Sequence, residues 1–453
     1  MKLHILGICG TFMGGIALLA KELGHEVSGS DANIYPPMST QLEQSGITLY
    51  DGYNPETLVQ EGPDQVIIGN VLSRGNASVE HVLDQGLRYC SGPQWLSEHV
   101  LYGRHVLAVS GTHGKTTCTS MLAWILEYAG KLPGFLIGGV AENFGLSAHL
   151  GGQDYFVVEA DEYDTAFFDK RSKFIHYQPR TLIINNIEFD HADIFGDISD
   201  IIREFSRLIR IVPGTGLIVH KQDDPNIRQV LEPVCWSPTV GFGADAGAWQ
   251  CRVGKPDYSE FEVMFQGKPV SSVKWGLIGG HNAENALAVT AAARHVGISA
   301  ETSAAALATF KGVKRRLQRL AEVDGITIYD DFAHHPTAIK VTLAALRFHV
   351  GNSRIVAVLE PRSNTMKLGV HQHALGLSLV DADQVMVYRP DGLSWDLESS
   401  LQVVAGKFQI FNDTDQIVTA LGKQLQRGDH VVIMSNGSFQ GIHARLIAAL
   451  EGR

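Results

Sequence analysis

HVLAVSGTHGKTT, residues 105–117, is the stretch on which the fold turns. An apolar run, 106–109, gives way to Ser110-Gly111-Thr112-His113-Gly114 and then to Lys115-Thr116-Thr117. Beyond it Met121, Leu122, Ile125, Leu126 and Ala129 recur at helical spacing and stop at Gly130. The pattern predicts strand, glycine turn and helix start, which together cradle phosphate. Successive backbone N–H groups and the positive helix end face the anion, Lys115 reaches the outer phosphates, and the Thr116 hydroxyl holds Mg²⁺. The usual loop has glycine six positions before its lysine; here Val109 stands there, and Gly111 is the only earlier loop glycine. GK[ST] between an apolar strand and a helix still favours a nucleotide over an ordinary strand–turn–helix corner.

A chain of 453 residues is too long for one core and divides into domains. Its 45 % hydrophobic and 19 % charged residues are those of a soluble globular protein. With 37 basic against 48 acidic residues the net charge is −11, which argues against nucleic-acid or anionic-membrane partners but leaves local phosphate sites open. Cys9, Cys90, Cys118, Cys235 and Cys251 are scattered without C-x-x-C spacing, pointing to the cytoplasm rather than to a disulfide or zinc framework. Gly7, Gly10, Gly14 and Gly15 interrupt the first apolar run, so no secretion signal is expected. No apolar run approaches the ~20 residues of a membrane span.

The first hundred residues alternate strand and helix: strand 3–8, a stripe of Ile16, Leu19, Ala20 and Leu23, strand 25–29, and strand 65–69 before a polar loop. This predicts a Rossmann-like unit whose first turn, 7–15, carries cysteine where G-x-G-x-x-G needs its second glycine. The turn suits a pyrophosphate, and Asp31 suits a hydroxyl or amide donor.

In the second unit, strands 155–158 and 181–184 end in EADE (159–162) and NNIEFDH (185–191). Carboxylates and a histidine at such strand ends fall where open α/β sheets bind ligands. Glu159 is expected to complete the Mg²⁺ shell with Thr116, and His191 to hold a second ion or its waters, while Asp161 and Glu162 read as a solvated turn. Residues 214–274 read as an antiparallel annex. Asn282 and Asn285, three apart on an alanine-rich helix, offer amides to a base, with Asn282 also placed to cap that helix. The basic run 311–319, KGVKRRLQR, reads as a solvated face that can lend a guanidinium to a phosphate.

The third unit alternates again, with strands 326–329, 354–359, 384–388 and 430–434 and a helix over 337–347. Polar loops 330–336, 360–364 and 435–438 follow three of those strands. Adjacent His334 and His335 lack the i, i+4 spacing of a shared metal, so no zinc site is expected there. Arg362, beside Ser363 and Asn364, is suited to clamp a carboxylate.

GTHGKTT, EADE, NNIEFDHAD (185–193), GGHNAENA (279–286), GVKRRLQ (312–318) and DDFAHHPT (330–337) occur in this order along the whole chain. The set resembles the Mur ligase family, ATP-dependent amide-forming enzymes of peptidoglycan metabolism. The resemblance implies an α/β protein of three domains: a Rossmann-like domain over 1–104 for UDP-N-acetylmuramate, a central P-loop ATPase-type domain of mainly parallel sheet over 105–313, and a Rossmann-like domain over 314–453 for the acceptor. GICGTFMGGIA (7–17) and GSDAN (29–33) resemble the branches that use UDP-N-acetylmuramate. Residues 159–177, 329–339, 360–367 and 434–439 are similar to the branch that adds a murein tripeptide rather than free L-alanine.

By motif position the resemblance implies ATP contacts from Gly111, Thr112, His113, Gly114, Lys115, Thr116, Thr117, Asn282, Asn285, Arg316 and Asp331, the last two reaching phosphate and ribose. It makes Lys115, Glu159 and His191 catalytic and gives Mg²⁺ to Thr116, Glu159 and His191. The UDP-substrate falls to Gly10, Thr11, Met13, Gly14, Gly15, Ser30, Asp31 and Asn70, and the acceptor to Arg362, Asn364, Ser435 and Asn436. Several relatives carry a carbamylated lysine after the D-H motif; here only Lys221 lies between Asp190 and Gln222, so none is expected. The implied partners are small molecules, with no nucleic acid or membrane, and the implied state is a monomer or weak homodimer. An NAD-dependent oxidoreductase is disfavoured by Cys9 in the first turn, and a P-loop switch leaves the loops at Arg362 and 435–438 without purpose.

Overall fold

The computed structural model describes residues 1–35, 38–233 and 235–453. Three large α/β sheets follow one another along the chain, besides a two-stranded antiparallel pair, Asp164–Ala166 with Asp169–Ser172. The first is wholly parallel, in the order Thr48–Asp51, Glu26–Asp31, Lys2–Leu6, Gln65–Ile68, Tyr89–Ser91. Strands covered on both faces must be apolar on both, which is why two of them read KLHIL and QVII. Strand order reverses between these two, so a crevice opens beyond their C-terminal ends, at residues 7–10 and 69–70. His4 is the polar exception inside: its ring nitrogens lie 2.8 Å from Ser28 Oγ and 2.9 Å from Ser30 Oγ.

The second sheet has ten strands. Seven run parallel, in the order Trp249–Val253, Thr239–Phe242, Leu217–Lys221, Thr181–Ile184, His105–Ser110, Tyr155–Glu159, Gly134–Leu136. Antiparallel pairing is confined to the margins, through Trp249–Val253, Glu260–Phe265 and Lys268–Lys274 on one side and Ala148–His149 on the other. The annex expected over 214–274 is thus smaller than the sequence implied. Leu217–Lys221 belongs to the parallel body, as its unbroken Leu217-Ile218-Val219 run, buried from both sides, requires.

Pleating divides the P-loop strand between two cores. Leu107 and Val109 pack with buried residues of the helices Lys115–Tyr128 and Gly280–His295. Val106 and Ala108 face the other side with Ile201, Phe205 and Leu208, in a core continuous with Ile16 and Leu19 of the first helix. The first and second units therefore share one apolar core.

The third sheet runs Gln318–Val323, Ile326–Asp331, His430–Met434, Ile355–Leu359, Gln384–Tyr388, Phe408–Phe411, parallel except for the first pair. The tail of the basic run, expected as a solvated face, becomes the edge strand Gln318–Val323. Edge strands tolerate charge because one side remains in water. The predicted helix over 337–347 extends to Pro336–Val350, with Pro336 in its first turn. Among the described residues no helix is long and apolar enough to cross a membrane.

Candidate active site

Gly111 (φ 130°) and Gly114 (φ 81°) turn the chain from the strand His105–Ser110 into the helix Lys115–Tyr128. Three asparagines hold that turn. Asn186 accepts from His113 N through Oδ1 at 2.7 Å and from Thr112 N through its carbonyl at 3.0 Å. Asn185 Nδ2 donates to His113 O at 3.0 Å and to Asn285 Oδ1 at 2.9 Å. A Cβ on Gly114 would stand 2.4 Å from Asn185 Nδ2.

Two expectations change here. The Thr112 and His113 N–H groups are spent on Asn186, so among the described residues the free donors begin at Gly114 and continue through Lys115, Thr116 and Thr117 in the first helical turn. Asn285, expected to meet a base, is buried behind the loop and accepts from Asn185 Nδ2 as its support. Asn282 Nδ2 donates to Ile278 O at 2.8 Å, and the helix begins after Gly279, so Asn282 is not its cap.

Lys115 Nζ donates to Gly111 O at 2.7 Å and to Glu162 Oε2 at 2.9 Å, with Asp161 Oδ1 at 3.7 Å. Glu162 is 2 % exposed, so the solvated turn expected at 161–162 is instead a buried counter-charge to the loop lysine. Burial alone would pull Lys115 below the ordinary lysine value; Glu162 and Asp161 overcome it and hold the ammonium above that value. His191, held at φ 55°, brings Nε2 to 3.6 Å from Glu162 Oε1.

Thr116 Oγ1 donates to Glu159 Oε1 at 3.0 Å and accepts from Arg316 at 3.1 Å. Gly138 N donates to Glu159 Oε2 at 2.7 Å, and a Cβ on Gly138 would crowd that carboxylate. Burial, then the charge of Asp161, push the Glu159 carboxyl up. A hydroxyl and a carboxylate oxygen 3.0 Å apart are oxygen donors that fit Mg²⁺, while His191 lies against Glu162 rather than against this pair. Asp331, expected to reach a ribose, is buried and accepts from Leu317 N at 2.6 Å and Ala333 N at 2.7 Å, while burial raises it to about 6 against the pull of Arg316.

A cleft of about 320 Å³ opens between the second and third units, lined among others by Asp190, His191, His334, Arg362, Asn364, Lys367 and Asn436. The two units touch across it: Thr365 Oγ1 donates to Asp190 Oδ1 at 2.8 Å, and Asn364 Nδ2 to Asp193 Oδ2 at 3.0 Å. A Cβ on Gly437 would stand 2.7 Å from the Arg362 guanidinium, so glycine lets the cation lie along the backbone. Ser435, expected to touch the acceptor, is buried with its hydroxyl on Glu360 and supports the loop from behind.

Comparison with known proteins matches three family models in order: "Mur ligase family, catalytic domain" at 2–103, "Mur ligase middle domain" at 109–293, and "Mur ligase, glutamate ligase domain" at 315–437. The chain belongs to the Mur ligase family. An Escherichia coli protein named UDP-N-acetylmuramate–L-alanyl-γ-D-glutamyl-meso-2,6-diaminoheptandioate ligase is 54 % identical over 451 residues, covering 99 % of this chain and 98 % of that one. The crystal structure of a murein peptide ligase from Psychrobacter arcticus superposes with TM-score 0.77 at 46 % identity, covering 100 % and 99 % of the two chains. A Burkholderia cenocepacia UDP-N-acetylmuramate–L-alanine ligase is 33 % identical over 468 residues, 99 % of this chain and 98 % of that one.

In this Mur ligase the first glycine turn is more a packing device than the sequence implied. A Cβ on Gly14 would strike Met38 Sδ at 2.3 Å, and one on Gly15 would strike Leu136 of the second unit at 2.2 Å. Met13 is core, and the Ser30 hydroxyl is held by His4. Asp31 Oδ2 accepts from Cys9 N at 2.9 Å and Oδ1 from Asn33 N at 3.0 Å, fixing the turn's shape. Gly10, Thr11 and Asn70 remain at the mouth of the crevice.

The sequence reading missed Lys173. It is 3 % exposed, with its ammonium 4.2 Å from the Tyr163 ring centre and 4.7 Å from that of Phe12 in the first glycine turn. Burial pulls it below the ordinary lysine value, and Asp161 and Asp164 offset that only in part. Its place in RSKFIHY, after Lys170 and Arg171, gave no signal distinguishing it from a surface charge.

Proposed function

We propose that this chain joins L-alanyl-γ-D-glutamyl-meso-diaminopimelate to UDP-N-acetylmuramate at the expense of ATP, in the recycling of peptidoglycan. Residues 1–104 would receive the UDP-substrate, 105–313 the ATP and 314–453 the peptide. One observation carries the reading: Arg362, Asn364 and Asn436 open onto the same cleft as His191, which adjoins the Glu162 that holds the loop lysine. An acid-activating centre and a carboxylate clamp thus share one space. That cleft also presents Lys367, a second cation, which suits a peptide with several carboxylates better than free alanine.

The chemistry follows from charge. A carboxylate is a poor electrophile, so the lactyl carboxylate attacks the γ-phosphate of ATP, ADP leaves and an acyl phosphate forms; the alanyl amine then adds to that carbonyl, gives up a proton and expels phosphate as the amide forms. Lys115 moves from Glu162 to the phosphate oxygens, and the first-turn N–H groups receive the developing charge. Thr116, Glu159 and His191 would hold Mg²⁺, which when bound neutralises phosphate charge. Buried Lys173, at the seam between the Phe12 turn and the Asp161–Glu162 cluster, orients the anionic part of the UDP-substrate. Its cation is pre-desolvated, so an anion meeting it gains more than it would at the surface. Consumption of ATP and a nucleotide-linked sugar sets the reaction in the cytoplasm.

The test offers ATP, Mg²⁺ and UDP-N-acetylmuramate with either the tripeptide or L-alanine and measures acceptor-dependent phosphate release. Release with the tripeptide and little with alanine is expected; the reverse preference overturns the assignment.

A further inference from the structure

His335 was set aside as a metal ligand because its neighbour His334 stands at the wrong spacing, but the fold supplies other neighbours. His113 from the P-loop, Glu188 from the loop after Thr181–Ile184 and His335 from the third unit place ligand atoms within 4.8 Å of one another. His113 Nε2 is 3.3 Å and His335 Nδ1 3.7 Å from Glu188 Oε2. Ligands bound to zinc at ~2.0–2.1 Å in a tetrahedron lie about 3.3 Å apart, so the set is close to the span such an ion needs.

We propose that His113, Glu188 and His335 bind a zinc-type divalent cation that clamps the P-loop to the third unit. Two imidazoles and one carboxylate select such an ion over Mg²⁺, which takes oxygen donors. They share no member with Thr116, Glu159 and His191.

His335 is 5 % exposed; its Nδ1, the nitrogen that faces Glu188, accepts from Thr337 N at 3.2 Å and exchanges that cap for the ion, while its Nε2 has no partner among the described residues. The His371 ring lies 4.3 Å away, and its Nε2 is also buried without a partner among the described residues. Glu188 keeps 36 % of its side chain exposed and gives the ion a way in. Its Oε2 also accepts from Thr337 Oγ1 at 2.7 Å, a contact that orients the carboxylate from behind.

An ion held by both units opposes the opening that releases product, so zinc at this site slows ligation. The test uses the full chain without nucleotide, in excess Mg²⁺, and titrates it with Co²⁺. One equivalent is expected to bind with visible ligand-field absorption, without the near-ultraviolet thiolate band that cysteine ligation would add. His335→Asn, which retains a helix-capping side chain, is expected to weaken binding about 10–100-fold or more, and Glu188→Gln likewise. Binding unchanged in both variants overturns the site. Independently of any variant, crystals of the wild-type protein soaked in Zn²⁺ should show anomalous density among these three side chains; density elsewhere only, or none, overturns it. Zn²⁺ that binds there without slowing ligation refutes the clamp.

Discussion

Lys115 Nζ lies 2.9 Å from Glu162 Oε2, so the lysine of the phosphate loop is already held by a buried carboxylate of the same unit. The ammonium is thereby pre-positioned and kept charged, with Gly111 O as its second partner. Replacing it removes the main charge-stabilising donor of phosphoryl transfer. Lys115→Ala is expected to lower kcat by on the order of 10²–10³ or more, with the fold retained by circular dichroism. Near-wild-type turnover would contradict the role.

Gly114 combines a positive φ with contact against Asn185 Nδ2. Gly114→Ala therefore strains the backbone and displaces the asparagine that supports the loop. Strain of ~1–3 kcal/mol at such a position corresponds to a loss of ATP affinity of about 10–100-fold. Calorimetric titration with a non-hydrolysable ATP analogue measures it, and unchanged affinity would show that the turn does not touch the nucleotide.

The Arg362–Gly437 contact makes a paired prediction for the acceptor. Arg362→Met removes the clamp and Gly437→Ala displaces it, so both should raise KM for the tripeptide, the first by about 10–100-fold. KM for ATP should stay within about twofold in both. A rise in the ATP value instead would place the guanidinium at the nucleotide.

Lys173→Met keeps the stem between Phe12 and Tyr163 but deletes the charge. The expected result is a rise of about 10–100-fold in KM for UDP-N-acetylmuramate with little change for the tripeptide. Equal KM values in the two proteins would reduce Lys173 to a packing residue.

His4 makes the first sheet acid-sensitive. Burial lowers it to about 4 from the ordinary 6.5, so between those values the unfolded chain binds a proton that the folded chain does not. Stability is complete above about pH 6.5 and is lost as pH falls towards 4, by about 3 kcal/mol at most. Denaturant unfolding from pH 7.5 to 4.5 should show a shallower acid loss in His4→Gln than in the wild type. Parallel profiles would contradict the assignment.

The fold was legible wherever burial on both faces left an unbroken apolar run. His105–Ser110, Thr181–Ile184 and His430–Met434 announce themselves in this way, and the three-sheet order follows from them. Leu217–Lys221 was misread because glycines at 214 and 216 resemble hairpin punctuation when the partner strand, far away in sequence, is unseen. Gln318–Val323 was hidden by its charges, which an edge strand tolerates.

The site was legible by residue type and opaque by orientation. The motifs named Thr116, Glu159, Arg316 and Lys115, and the fold brings Thr116 together with Glu159 and Arg316. No motif could tell that Asn285, Asp331, Ser30 and Ser435 point into protein, because a polar side chain that supports a loop from behind has the same spacing as one that meets a ligand. Lys173, Glu162 and the His113–Glu188–His335 set depend on loops that approach only after the sheets assemble.

The most direct test follows the substrate's own oxygen. UDP-N-acetylmuramate labelled with heavy oxygen in its lactyl carboxylate is turned over with ATP and the tripeptide, and the released phosphate is examined by mass spectrometry. Transfer of one labelled oxygen to phosphate in each turnover is the predicted result, since the carboxylate must have been phosphorylated. Label that stays wholly in the ligated product would contradict activation of the acid by ATP.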